Sequence, residues 1–160
     1  MRPLTALAFA LAFALALPLV AAEPKVALDP GLGSLHWKVS TGNPKAQAFF
    51  DQGMRYVYAF NHESAVRSFN EAVRLDPELA MGYWGTALAL GPNINLDVDT
   101  DREKQAYETV HEAAKHLDHA SASERELVNV LTTRYSIAPD ADLKKLAVDY
   151  SRGMATLAKK

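Results

Sequence analysis

The chain has 160 residues, with 17 basic and 19 acidic side chains, five histidines and no cysteine. A formal net charge of −2 offers neither the clustered basic face that nucleic acid requires nor a patch that would draw the protein to an anionic membrane. Without cysteine there are no disulfides, no thiolate nucleophile, no cysteine-rich zinc site and no lipidated N-terminal cysteine.

Residues 1–22 have the build of a signal peptide. Arg2 supplies a positive start, Leu4 to Leu17 is an apolar run, Pro18 ends it, and Val20-Ala21-Ala22 puts small residues at the cleavage places. An uncleaved anchor is the rival, because the run approaches the roughly 20 residues that span a bilayer; Pro18 and the small residues favour cleavage before Glu23. The expected product is a periplasmic or secreted protein of 138 residues with 16 basic and 19 acidic side chains and no stable membrane insertion. That length suffices for one domain with its own core.

Residues 23–43 are expected to form an extended arm. Pro and Gly are frequent there, and Leu35, Trp37 and Val39 then alternate with His36, Lys38 and Ser40. A period of two suits an extended segment laid on an apolar surface.

Residues 44–160 are expected to be helical throughout. Asn43-Pro44 caps and opens a first helix, about 44–60. Phe60-Asn61-His62 makes a short turn, with Asn61 as N-cap of a second helix, about 62–75. Asp76 is expected to cap a third helix, about 77–90, with Pro77 at its first position. A long loop from Gly91 leads to a fourth helix, about 101–117, for which Thr100 and Glu103 form a capping-box pattern. Ser121 with Glu124, or Ser123 with Glu126, would cap a fifth, carrying Leu127, Val130, Leu131 and Tyr135. After Ala138-Pro139-Asp140, an apolar stripe of Leu143, Leu146, Ala147, Tyr150, Met154 and Leu157 marks a sixth.

Within residues 46–79, Phe49, Gly53, Tyr56, Ala65, Phe69, Ala72 and Pro77 fall at the aromatic, small and proline places of a unit of about 34 residues that resembles the tetratricopeptide repeat. Gly53 in mid-helix costs about 1 kcal/mol relative to alanine, which predicts that another backbone comes close there. A second unit, 80–119, begins in register at Tyr83 and Ala87, breaks, and recovers about seven residues late at Ala106, Val110 and Ala113. Residues 122–159 form a repeat-like hairpin only. The expected fold is all-α: a right-handed, tetratricopeptide-like solenoid of antiparallel helix pairs, about six helices in all. One such unit cannot bury its own apolar face, so the architecture is usually a binding scaffold.

Trp37 to Thr41, Ala46 to Gly53, Tyr58 to His62, Leu75 to Pro77 and Tyr83 to Asn95 resemble the N-terminal part of a family of exported bacterial tetratricopeptide-repeat proteins. Looser similarity continues through Glu124 to Leu127 and Arg134-Tyr135. Members of that family are considerably longer. The resemblance therefore implies a fragment or short variant of a periplasmic or secreted solenoid, with no defined activity. Gln52 departs from the repeat, standing where a large apolar residue is usual.

Two places could carry function. Helical periodicity turns Gln47, Phe50, Asp51 and Met54, with Met81, Trp84, Gly85 and Leu88, toward the inner groove. Phe50, Met54, Trp84 and Leu88 are the candidate ligand groove for a protein, a peptide or the chain's own arm. The alternative is that the arm around Trp37 covers them as core.

The second place is the loop edge, where His62, Asn93 and Asn95, joined by His36, would serve an enzyme or metal-binding protein. One imidazole with neutral oxygens is a poor metal set, and a capped turn explains the same residues. His111, His116 and His119 sit toward a helix end, where histidines meet carbonyls. Asp97, Asp99 and Asp101 alternate as calcium ligands do, but the glycine and glutamate of such a loop are missing. With no phosphate loop, nucleophile elbow or metalloprotease helix, the expected function is a non-enzymatic scaffold without a cofactor, binding a protein or peptide partner and no nucleic acid.

Overall fold

The computed structural model describes residues 26–93 and 99–160. The signal-peptide reading and the positions of Asn95 and Asp97 lie outside them. The described residues hold six α-helices: α1 (Pro44–Tyr58), α2 (His62–Leu75), α3 (Ala80–Leu90), α4 (Thr100–Ala113), α5 (Ala122–Thr132) and α6 (Leu143–Leu157). Two 3₁₀ segments, Pro30–Leu32 and Ala114–His119, complete them, and no strand occurs among the described residues. The chain is all-α.

Capping chemistry sets most of the helix starts. The Asn43 side chain accepts the N–H groups of Lys45 and Ala46 ahead of Pro44, and Asn61 accepts that of Ser64. Phe60 turns the corner between α1 and α2 with φ of 57°. Of the two registers open at α5, Ser121 with Glu124 closes a complete capping box.

Two expected starts are corrected. The third helix begins at Ala80, not at Pro77, because Asp76 is spent on the turn: its carboxylate accepts the Glu78 N–H and the Thr41 hydroxyl. The cap of α4 is Asp99, which accepts the Arg102 N–H, and Glu103 turns away from the box to meet Ser136. The fourth helix also stops at Ala113 and continues as a 3₁₀ segment, where His116 leaves helical geometry.

Each helix from α1 to α4 packs on the next, and α3 also touches α1 and α5. The core runs along this contact line through Phe50, Phe69, Ala65, Ala72, Met81, Trp84, Ala87, Ala106, Val110 and Leu131. Phe69 is its pivot. A Cβ on Gly53 would lie 2.4 Å from the Phe69 ring and one on Gly85 2.6 Å from it, so the ring is held between α1 and α3 where neither has a side chain. Gly53 thus makes room for a neighbouring ring, not for a neighbouring backbone. Gly85, expected in the groove, faces the same ring.

Candidate functional site: a cradle for an extended segment

The arm, residues 26–42, lies across the helices and is fixed to them by polar side chains. Gln52 of α1, 2 % exposed, accepts the Asp29 N–H and donates to the Ala27 carbonyl and the Ser68 hydroxyl. Its departure from the repeat pattern therefore has a cause: the position faces the arm's main chain, which an apolar side chain would leave unsatisfied.

Further along, three α1 residues at spacing four read the arm's backbone. Arg55 donates twice to the Leu35 carbonyl, at 2.9 and 2.7 Å. Asp51 accepts the Trp37 N–H at 3.0 Å. Gln47 donates to the Trp37 carbonyl at 2.9 Å and accepts the Val39 N–H at 3.0 Å. The register has a geometric basis: eight helical residues rise about 12 Å, and four residues of extended chain span about 13 Å. An extended segment running opposite to α1 thus meets one polar side chain of the row with every second residue. Leu35, Trp37 and Val39 present their peptide groups to α1; of their side chains, Val39 is buried and Trp37 packs on the core as the alternation predicts, whereas Leu35 is 40 % exposed.

Trp37 carries the apolar part of the contact. Its ring meets Phe50 edge-on at 6.1 Å and Trp84 at 5.7 Å between centroids, geometries that aromatic pairs favour. Val39, 3 % exposed, joins the core beside them. Of the groove candidates, Phe50, Met54 and Trp84 are buried and Leu88 is half-buried against the core. The groove is closed by the chain itself.

Beyond the row, the arm is clasped to α5. Glu124 accepts the Ser40 N–H at 2.7 Å, the Ser40 hydroxyl at 2.5 Å and the Ser121 N–H at 2.7 Å. Burial alone would raise the pKa of Glu124, but these hydrogen bonds outweigh it and hold the carboxyl below its ordinary value.

His36 belongs to the arm and not to the loop edge: its ring nitrogen lies 2.7 Å from Asp51, and its side chain is 60 % exposed. His62 opens α2 with both ring nitrogens enclosed and without a hydrogen-bond partner, Asn93 included. Burial, followed by the positive charge of Arg102, lowers its pKa. His116 stacks on Tyr83 at 5.1 Å and meets Glu78, which His119 also reaches at 3.1 Å. His111 bonds the Tyr107 carbonyl at 2.8 Å, and Asp99 is the cap already described. No group of three or more His, Asp or Glu side chains among the described residues is arranged to hold a metal ion.

Gln47 and Asp51 stand at groove-facing positions in the helical periodicity, Gln52 shows only as a departure from the repeat and Glu124 only as a capping residue, and Arg55 does not declare itself in the sequence. The spacing of Gln47, Asp51 and Arg55 on one helix face, opposite an arm of period two, is the signal that could have found the row. No helix among the described residues is long and apolar enough to cross a membrane. Comparison with protein-family models, with curated proteins and with solved structures finds no match.

Proposed function

We propose that the chain is an exported, non-enzymatic scaffold, a tetratricopeptide-like solenoid that works by holding an extended peptide segment. The observation that carries this is the row of Gln47, Asp51 and Arg55 pairing with the main chain of alternate arm residues, with one aromatic seated on Phe50 and Trp84. In recognition of extended peptides, main-chain hydrogen bonds supply affinity and a side-chain pocket supplies selectivity. Supporting the solenoid reading are the succession of packed neighbours from α1 to α4, the contacts of α3 with both α1 and α5, and the small residues facing Phe69. In the resting protein the arm is the occupant, and a partner peptide of like pattern competes with it.

A labelled peptide spanning residues 33–42, titrated into the full chain, tests the reading by fluorescence anisotropy. The covalently attached arm competes at an effective concentration in the millimolar range, so the wild-type protein should bind weakly. Trp37→Ala loosens the arm and should bind the peptide saturably. A Trp37→Ala protein that keeps its helical circular dichroism and still ignores the peptide would sink the proposal.

A further inference from the structure

The cradle's contacts ask different things of a sequence. Gln47, Asp51, Gln52 and Arg55 bond main-chain groups of the arm, which any extended segment offers. Side chains enter at His36, beside Asp51, at Trp37 and Val39, against the core, and at Ser40, on Glu124. His36 is mostly exposed, and Asp51 keeps the Trp37 N–H and the Gln47 amide without it. Glu124 has no such reserve. Apart from the Ser121 N–H of its own capping box, it takes its hydrogen bonds from Ser40 alone: the N–H at 2.7 Å on one carboxylate oxygen and the hydroxyl at 2.5 Å on the other. The Ser40 hydroxyl in turn accepts the Ser121 N–H at 3.2 Å, leaving its proton for the carboxylate.

Glu124 is buried, and its ionisation is governed by burial and by hydrogen bonds from Ser40 and Ser121, with no contribution from a basic side chain. A buried carboxylate that loses a donor is costly, so the residue at this place is required to bring a hydroxyl as well as an N–H. A negative group there, whether an acidic side chain or a chain-terminal carboxylate, meets like charge at close range. Ser40 itself is exposed, which lets a segment leave the cradle at that point. The arm's own continuation is rooted elsewhere: Thr41 donates to Asp76 and the Asn43 amide to the Leu75 carbonyl, both at the end of α2. The root can stay in place while residues up to Ser40 are displaced.

Taking the cradle's peptide-holding role as premise, we propose that its partner is an internal segment of another protein in which an aromatic residue is followed two places on by a small aliphatic one and then directly by serine or threonine, and that Glu124 selects for that hydroxyl. The aromatic takes the Trp37 place on Phe50 and Trp84, the aliphatic the Val39 place and the hydroxyl the Ser40 place. The first two supply apolar contact. The third distinguishes this segment from others of equal hydrophobicity.

Labelled peptides spanning residues 33–42 with both ends blocked, titrated into the full-length Trp37→Ala protein by fluorescence anisotropy, test the selection: the natural sequence, Ser40→Ala and Ser40→Asp. These changes leave the protein's fold untouched, and its own arm competes equally with each peptide, so the affinity ratios are read directly. The Ser40→Ala peptide should bind about tenfold more weakly or worse, the scale of a hydrogen bond to a charged acceptor, and the Ser40→Asp peptide more weakly still. Glu124→Gln, added to the Trp37→Ala protein, removes the charge and keeps an oxygen, so it should narrow both gaps, most of all for Ser40→Asp. No binding of the natural peptide would overturn the peptide-holding role and the selection with it. Equal affinity for the natural peptide and the two substituted ones, or gaps unchanged by Glu124→Gln, would leave the cradle standing and overturn the selection by Glu124.

Discussion

Single residues here are explained by the space and the partners around them. Phe69 is fully buried, with a ring that fills the hollows left by Gly53 and Gly85, so it has no exit if either glycine gains a side chain. Gly53→Leu should lose about 1–3 kcal/mol or more through overpacking, against about 1 kcal/mol gained from replacing glycine in a helix. Thermal melts of the purified variant check this; an unchanged midpoint would mean that the ring can move aside. Gly91 is a similar case, since a Cβ there would stand 2.2 Å from the Tyr135 hydroxyl, which donates to the Ala87 carbonyl. The repeat pattern marked Gly53 as a place of close approach, because small and aromatic places recur at fixed spacing, but not that the neighbour is the Phe69 ring. It could not reveal that Gly85 faces the same ring, nor that Glu103 bonds a residue 33 positions away. Such facts depend on where another element arrives.

At the scale of elements, the arm packs on the core through Trp37 and Val39 although its only regular structure is the 3₁₀ segment Pro30–Leu32. Its period of two was readable, and so was the apolar surface that it needed. The polar row that fixes its register was harder to see: Gln47 and Asp51 fall on the groove side of α1, but that they and Arg55 bind a main chain shows only once an extended segment is laid beside them. The starts of α3 and α4 were misplaced for a related reason: Asp76 and Glu103 fit capping patterns, yet each has a partner from a distant segment, Thr41 or Ser136. The arm's covering role has a measurable consequence at Trp84, which is 3 % exposed with Trp37 against it. Trp84→Ala should cost about 3–5 kcal/mol, as loss of a buried aromatic does. Denaturant melts read this directly, and a loss below about 1 kcal/mol would show that the arm leaves Trp84 open to solvent.

Across the whole molecule, the Ser40–Glu124 clasp joins residues 84 positions apart and ties the arm, already bound to α1, to α5. It spans the contact line α1–α3–α5, so its strength bears on how firmly the arm closes the groove. Ser40→Ala removes the hydroxyl donor and keeps the backbone one. A hydrogen bond to a charged acceptor contributes about 1.5–3 kcal/mol, and that loss is expected near neutral pH. The sign of the pH dependence follows from Glu124, whose carboxyl is held below its ordinary value of 4.5. A group depressed in the folded state contributes stability above its unfolded pKa and loses it as pH falls through the folded one. The gap between wild type and Ser40→Ala should therefore be full at neutral pH and narrow in acid, once Glu124 is protonated and the bond is between neutral groups worth about 0.5–1.5 kcal/mol. Urea melts of both proteins at neutral pH and well below the ordinary carboxyl range measure the two gaps. A gap of the same size at both would mean that the clasp is not charge-assisted, and that the arm is held by Trp37 and the α1 row alone.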